Sequence, residues 1–172
     1  MPTWEADLFR TINDLPGVLY PLLWPFQQLG ALIVGPVVAV IAVLTGRRRL
    51  ALAALLATAT KLLLERGVKA MVTRERPAAS IGSGIEVRGD VHLSGESFVS
   101  GHAVLVAALV TVITPWLPAR RRIVAWVVVG VVCVARVYVG AHNPLDVVCG
   151  AALGLALGGG LNLLLGVPEP RS

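Results

Sequence analysis

The chain has 172 residues, enough for one domain, and 56% of them are apolar, with a mean hydropathy of +0.78. This composition excludes an ordinary soluble domain, so we predict a single all-α domain over 1–172 that is embedded in a lipid bilayer. The net charge of +5 lies largely in two arginine triplets between apolar stretches, which indicates membrane topology and argues against a nucleic-acid partner.

Two segments precede the first long apolar stretch. Trp4, Leu8 and Ile12 recur at helical spacing among charged residues, which predicts an interfacial helix over 4–14. The segment 17–28 contains two prolines and is either a broken extension of the first membrane span or a re-entrant piece. If it crossed the bilayer, it would add a sixth transmembrane helix.

Five apolar stretches follow, each close to the roughly 20 residues that a helix needs to cross the hydrocarbon core. We therefore predict about five transmembrane helices. The stretches are 29–46, 50–68, 100–117, 123–141 and 146–166.

The arginine triplets predict the orientation of these helices. They occupy 47–49 and 120–122, in the loops after the first and third spans, and the positive-inside rule places both loops in the cytoplasm. The segment 66–98 and the corner 141–146 then lie together on the extracytoplasmic side of the plasma or inner membrane.

The first candidate cluster on that side contains Lys69, near the end of the second span, and Arg76, which precedes Pro77. A residue before proline avoids helical backbone, so the two cations could converge on one point from different directions. Alternatively, they are solvated charges at a basic helix end.

The second cluster begins the third span. Ser100 is placed as a helix N-cap, and Gly101, as the first helical residue, would let an anion approach the backbone N–H groups closely. His102 could donate a proton to a departing oxygen. The alternative is an ordinary serine cap followed by a chance histidine.

The third cluster joins the fourth and fifth spans. Arg136 lies in the last turns of the fourth span, and His142 follows Gly140, which predicts a helix stop. Asn143 and Asp146 occupy the N-cap and third positions of the next helix, so Asp146 could simply be a helix cap. Alternatively, Asp146 accepts a hydrogen bond from His142 and leaves the other ring nitrogen free to attack.

Together the clusters supply three cations, two histidines, a carboxylate and a helix N-terminus, which is typical of phosphoryl transfer without a metal. The pattern resembles the type 2 phosphatidic acid phosphatase superfamily. Its motifs are Lys, six residues, Arg-Pro; then Pro-Ser-Gly-His; then Ser-Arg, five residues, His, three residues, Asp. The matching positions are Lys69, Arg76 and Pro77, then Ser100, Gly101 and His102, then Arg136, His142 and Asp146. Val99 and Ala135 depart from the motifs, but every charged or proton-transferring group is present.

The resemblance implies a mechanism. His142 would attack phosphorus to form a phosphohistidine, Asp146 would orient the ring, and His102 would protonate the leaving group, before water hydrolyses the intermediate. The phosphate oxygens would be held by Lys69, Arg76, Ser100, Gly101 and Arg136. Neither a metal nor another cofactor is implied. His92, Glu96, His102 and His142 lack the spacing of a zinc site.

The function implied by the resemblance is hydrolysis of a lipid phosphate or diphosphate, with polyprenyl diphosphate favoured and phosphatidate and phosphatidylglycerol phosphate left open. Its partners would be the lipid substrate and the bilayer, while the oligomeric state is left undetermined. The alternative is a non-catalytic lipid-phosphate binder or transporter. The complete set of His102, His142 and Asp146 argues against that alternative, because binding alone needs neither a general acid nor an oriented nucleophile.

Lys61 lies deep in the second span, one helical turn before Glu65. A buried charge needs a partner, so we predict a Lys61–Glu65 ion pair in preference to a substrate contact. Lys69, one turn further, could share the same carboxylate.

The orientation can be tested with a cysteine introduced at Ser83, after Cys133 and Cys149 have been replaced. Because Ser83 lies in the predicted outer segment, the cysteine should react with a membrane-impermeant thiol reagent in intact cells. Labelling seen only in inverted vesicles would reverse the orientation.

Overall fold

The computed structural model describes residues 1–91 and 93–168, and within them the chain forms eight α-helices and no strand. Short 3₁₀ turns over Gly17–Leu19 and Thr114–Trp116 lead into or extend neighbouring helices. The helices are α1 Thr3–Asn13, α2 Tyr20–Gln28, α3 Val34–Leu44, α4 Arg48–Met71, α5 Pro77–Ser80, α6 Gly101–Ile113, α7 Ala119–Tyr138 and α8 Pro144–Leu165.

Large apolar side chains cover much of the outer surface, and several polar and charged side chains are buried beside the apolar core. Leu44, Leu163 and Leu164 are 80%, 88% and 82% exposed, whereas Glu5 and Asp146 are fully buried. An apolar outer surface suits contact with lipid tails, and buried polar groups require partners inside the protein. The all-α fold is as predicted, and its surface fits a membrane environment.

The number of transmembrane passes stays a prediction. Within the described residues, α8 is the one helix that is long and apolar enough by itself to cross a bilayer, while Val34–Leu44 and Gly101–Trp116 are apolar but shorter. Helix α4 covers the predicted span 50–68, and α7 covers the predicted span 123–141 as far as Tyr138, but both helices carry several charged residues.

The first predicted span differs from the structure at its start, because the helix begins at Val34 and not near 29. The chain turns between α2 and α3 at Gly30, where an added Cβ would lie 2.6 Å from the Cβ of His102. Only a residue without a side chain allows the backbone to pass so close to α6. Helix α2 has nine residues, or about 14 Å at 1.5 Å per residue, so it is too short to cross a bilayer alone.

Helix α1 is confirmed, but the sequence pattern did not reveal its buried face. Trp4 and Leu8 are exposed, whereas Glu5, Phe9 and Asn13 point into the protein. The amide of Asn13 donates hydrogen bonds to the carbonyl oxygens of Glu86 and Tyr138 at 2.8 and 2.9 Å, which anchors α1 to the end of α7.

Helices α6 and α8 form the centre of the fold. Every fourth residue of α8 from 150 to 158 is glycine, a pattern that predicts close helix packing. A Cβ at Gly154 would collide with the carbonyl oxygen of Val104 and lie 2.9 Å from the Cβ of Ala107. The structure confirms that this stripe packs inside the monomer, where it lets the backbones of α6 and α8 touch.

Gly154→Ala should therefore destabilise the protein by about 1–3 kcal/mol, because the added methyl group must push the two helices apart. Thermal unfolding in detergent measures the effect. Gly159→Ala is the matched control, since nothing lies within 4 Å of a Cβ at that position. Equal unfolding temperatures for the two variants would contradict the role assigned to this contact.

Candidate active site

A cavity of about 760 Å³ opens where the end of α4, the start of α6 and the end of α7 meet. Six of the eight predicted site residues line it, and the other two, Ser100 and Asp146, lie immediately behind its wall. The six are Lys69, Arg76, Gly101, His102, Arg136 and His142.

Arg76 is held as predicted in extended backbone, with φ −71° and ψ 160°, just before Pro77. Its Nε donates to the carbonyl oxygen of Ser94 at 3.0 Å and its Nη1 donates to that of Ala141 at 2.9 Å. Burial lowers the pKa of Arg76, while the carboxylates of Asp146 and Glu65 oppose that shift. The two backbone contacts fix the direction of the guanidinium.

Lys69 reaches the cavity but is already paired. Helix α4 ends at Met71, so Lys69 lies in its last turn, and its Nζ is 2.7 Å from Glu65 Oε1. Lys61 Nζ lies 2.6 Å from the other oxygen of Glu65. The predicted Lys61–Glu65 pair is confirmed, and Glu65 joins both lysines at the cavity wall.

The start of α6 has unused hydrogen-bonding groups. Ser100 is the N-cap and Gly101 the first helical residue, as predicted, but the Ser100 hydroxyl makes no capping bond. That hydroxyl is buried and has no hydrogen-bond partner among the described residues. A side chain at Gly101 would meet Glu65 and Lys61, so the missing Cβ keeps this corner open. An anion would satisfy both the hydroxyl and the first N–H groups of the helix.

Arg136 has a partner that the sequence did not indicate. Its Nη1 donates to Gln27 Oε1 at 2.9 Å, which ties the short helix α2 to α7. Its Nε is buried and has no partner within the part of the chain that the structure describes. This N–H is the second unsatisfied group beside the cavity, after the Ser100 hydroxyl. Buried N–H groups are rarely left unbonded, so it is available to bind a ligand.

The proton on His142 is positioned by a backbone carbonyl. Its Nδ1 lies 3.0 Å from the carbonyl oxygen of Ser97 and 3.7 Å from Asp146 Oδ2. Because a carbonyl can only accept, Nδ1 carries the proton and Nε2 keeps its lone pair. The hydrogen bond from His142 to Asp146, one of the two roles considered for this carboxylate, is therefore not formed. The Ser97 carbonyl sets the tautomer, and Asp146 supplies a nearby negative charge.

Asp146 fills the helix-cap role and binds two further side chains. Its Oδ2 accepts from the Asn143 backbone N–H at 2.8 Å, as a helix cap, and from the Ser97 hydroxyl. Its Oδ1 accepts from Arg74 Nη1 at 2.9 Å. Ser97 and Arg74 were not predicted from the sequence, although Arg74 lies only two residues before Arg76.

His142 is uncharged near neutral pH. Its pKa is lowered to about 4, mainly by burial and also by the charges of Arg136 and Arg76, while Asp146 opposes the shift. A neutral imidazole with a free Nε2 is the form that a nucleophile requires.

The described residues contain no group of three or more His, Cys, Asp and Glu side chains arranged to hold a metal ion. His92, one of the four residues that lack zinc-site spacing in the sequence, lies outside the described residues. Metal independence stays a prediction.

The fold and cavity together define an all-helical protein with a cationic, histidine-containing site at the ends of its helices. The sequence profile of the PAP2 superfamily matches residues 48–166, so the chain belongs to this superfamily. The resemblance found in the three motifs is thereby confirmed.

Two crystal structures share the fold. LpxE from Aquifex aeolicus is 24% identical, with a TM-score of 0.81 over 90% of this chain and 92% of its own. The transmembrane PAP2 type phosphatidylglycerolphosphate phosphatase from Bacillus subtilis is 25% identical, with a TM-score of 0.77 over 98% of this chain and 88% of its own. No curated protein matches the sequence.

The pH dependence of kcat/KM should report His142. If its neutral form reacts, kcat/KM should have an acid limb, along which it declines as the pH falls through the His142 pKa of about 4. Asp146→Asn should move this acid limb to lower pH, because the carboxylate favours the imidazolium. The ionisation of the substrate is the same in both experiments, so a difference between the two pH profiles reflects the ionisation of the enzyme. A limb that moves to higher pH would contradict this assignment.

Proposed function

We propose that this protein is a membrane lipid phosphatase that hydrolyses a lipid phosphate or diphosphate through a phosphohistidine on His142. The single observation that carries the proposal is the imidazole of His142, whose Nδ1 proton is held by the Ser97 carbonyl and which lines the cavity together with Arg76 and Arg136. A carrier or binding protein would have no need for a nucleophile prepared in this way.

The proposed reaction has two balanced steps. In the first, the Nε2 lone pair of His142 forms a bond to phosphorus while the bond from phosphorus to the leaving oxygen breaks, and His102 gives that oxygen a proton. In the second, water attacks the phosphohistidine, His102 takes a proton from the water, and the nitrogen–phosphorus bond breaks to release phosphate. Asp146 stabilises the positive ring formed in the first step.

The phosphate oxygens would be bound by groups that now lack partners or face the cavity. The buried Ser100 hydroxyl and Arg136 Nε are both unbonded among the described residues, and a phosphate would supply acceptors for them. Arg76 and Lys69 also line the cavity and add positive charge. This arrangement supports phosphate chemistry without a metal ion.

For the substrate, we propose a polyprenyl diphosphate ahead of phosphatidate or phosphatidylglycerol phosphate. The cavity holds a head group while apolar helix surfaces outside it contact the lipid tails. With the predicted orientation the site faces the extracytoplasmic side of the membrane, where a carrier lipid could be recycled. One structural neighbour is named for phosphatidylglycerolphosphate, which keeps that substrate in the test panel.

Purified protein in detergent should release phosphate from at least one of these lipids in the presence of EDTA. No release from any of them would favour a lipid-phosphate binder. Activity that is lost with EDTA and restored by a divalent metal would overturn the metal-independent mechanism.

Rapid base quenching with ³²P-labelled substrate should trap a phosphoenzyme, and acid treatment should release its label, because a phosphohistidine is stable in base and labile in acid. His142→Ala should form none while still binding lipid, because the attacking nitrogen is gone. Asp7→Asn, at an exposed carboxylate of α1, is the control and should trap as much phosphoenzyme as wild type. Near wild-type turnover by His142→Ala would eliminate the covalent mechanism.

A further inference from the structure

Arg74 bridges two buried carboxylates behind the cavity. Its Nη1 donates to Asp146 Oδ1 at 2.9 Å, and its Nη2 donates to Glu5 Oε2 at 2.5 Å. Both carboxylates are fully buried, and Arg74 itself does not line the cavity. Arg74 therefore contacts Asp146 without lining the cavity.

Glu5 connects this bridge to the helix that carries Asp146. Its second oxygen, Oε1, accepts from the backbone N–H of Leu145 at 2.9 Å, in the first turn of α8. Helix α1 thus supplies a cap to α8 that comes from the far end of the chain. Both oxygens of Glu5 are hydrogen-bonded, as a buried carboxylate requires.

The backbone of Arg74 supports the other partner of His142. Its carbonyl oxygen accepts from the Ser97 N–H at 2.8 Å, and its N–H donates to Glu96 at 2.6 Å. The segment that presents the Ser97 carbonyl to His142 is therefore fastened to Arg74. One residue touches both groups that face the Nδ1 side of the ring.

Glu5 also controls how Arg74 binds Asp146. Arginine and a carboxylate often pair through two parallel hydrogen bonds, which would engage both oxygens of Asp146. Because Glu5 takes Nη2, Arg74 bonds only Oδ1, and Oδ2 stays with Asn143, Ser97 and the edge of the His142 ring.

We infer that Arg74 and Glu5 are positioning residues that act on His142 through Asp146, an inference that rests on the proposed function. Arg74 fixes the rotamer of Asp146 and the Ser97 segment, and Glu5 fixes Arg74. Neither residue contacts the substrate.

A double-mutant cycle tests whether Arg74 acts through Asp146. Arg74→Met should slow phosphoenzyme formation by about tenfold or more with KM nearly unchanged, and should cause little further loss in Asp146→Asn. Arg10→Met, at an exposed arginine of α1, is the control and should have wild-type kinetics. Losses that multiply in the double variant, or a loss confined to KM, would overturn the inference.

The titration of His142 gives a second readout that needs no turnover. The charged and titratable groups around its ring are Asp146, Arg76, Arg136 and His102, from four separate segments. Removing the positive charge in Arg74→Met should raise the pKa of His142, whereas removing the negative charge in Glu5→Gln should lower it. NMR of ¹⁵N-histidine-labelled protein in micelles measures both shifts.

Glu5→Gln is nearly isosteric and can still accept from Leu145, so it tests the inference even if Arg74→Met fails to fold. Asp7→Asn, at an exposed carboxylate on the same helix, should leave the titration unchanged. If the pKa of His142 shifts in the same direction in Arg74→Met and Glu5→Gln, or does not shift, the bridge formed by Arg74 has only a structural role and the inference is wrong. Opposite shifts in a protein that releases no phosphate would uphold the bridge and refute the proposed function.

Discussion

The burial of the Asp146 carboxylate is the constraint around which this molecule is organised. A carboxylate withdrawn from water must have all its oxygens bonded, and here the donors come from three separate parts of the chain. Asn143 supplies a backbone N–H, Ser97 a hydroxyl and Arg74 a guanidinium nitrogen. Arg74 in turn brings Glu5 of α1 into the interior. Satisfying one charge therefore fixes the start of α8, the loop before α6, the segment after α4 and the N-terminal helix.

Close packing of α6 on α8 places the two chemical halves of the site side by side. The backbone N–H of Ser100 donates to the carbonyl oxygen of Asp146 at 3.1 Å, so the first residues of the two helices are directly bonded. Glycines along α8 allow this approach, and the Ser100 carbonyl lies 2.8 Å from where a Cβ of Gly150 would stand. Without that approach, the helix mouth that would bind phosphate and the corner that carries His142 would be separated by the width of a side chain.

Much of the candidate site could be predicted from the sequence, because its members belong to local patterns. Each of these patterns spans only a few residues of the sequence: the helix start at Ser100, the position before proline at Arg76 and the helix cap at Asp146. Gln27, Glu5 and Arg74 had no such pattern, since their partners are 109, 140 and 72 residues away in the chain. Ser97 escaped for another reason: it acts on His142 through its carbonyl, a group that every residue has. The fold class followed from composition, whereas the turn at Gly30 depends on His102, which approaches only after folding.

The backbone contact to His142 also affects how this site tolerates genetic variation. Mutation at position 97 can remove the hydroxyl that binds Asp146, but no codon change can remove the carbonyl that binds the ring. The two effects of residue 97 on His142 are therefore separable. Its side chain influences the Asp146 carboxylate beside the ring, whereas its main-chain carbonyl fixes the tautomer. A lineage could adjust the basicity of this imidazole without losing the orientation of its reactive nitrogen.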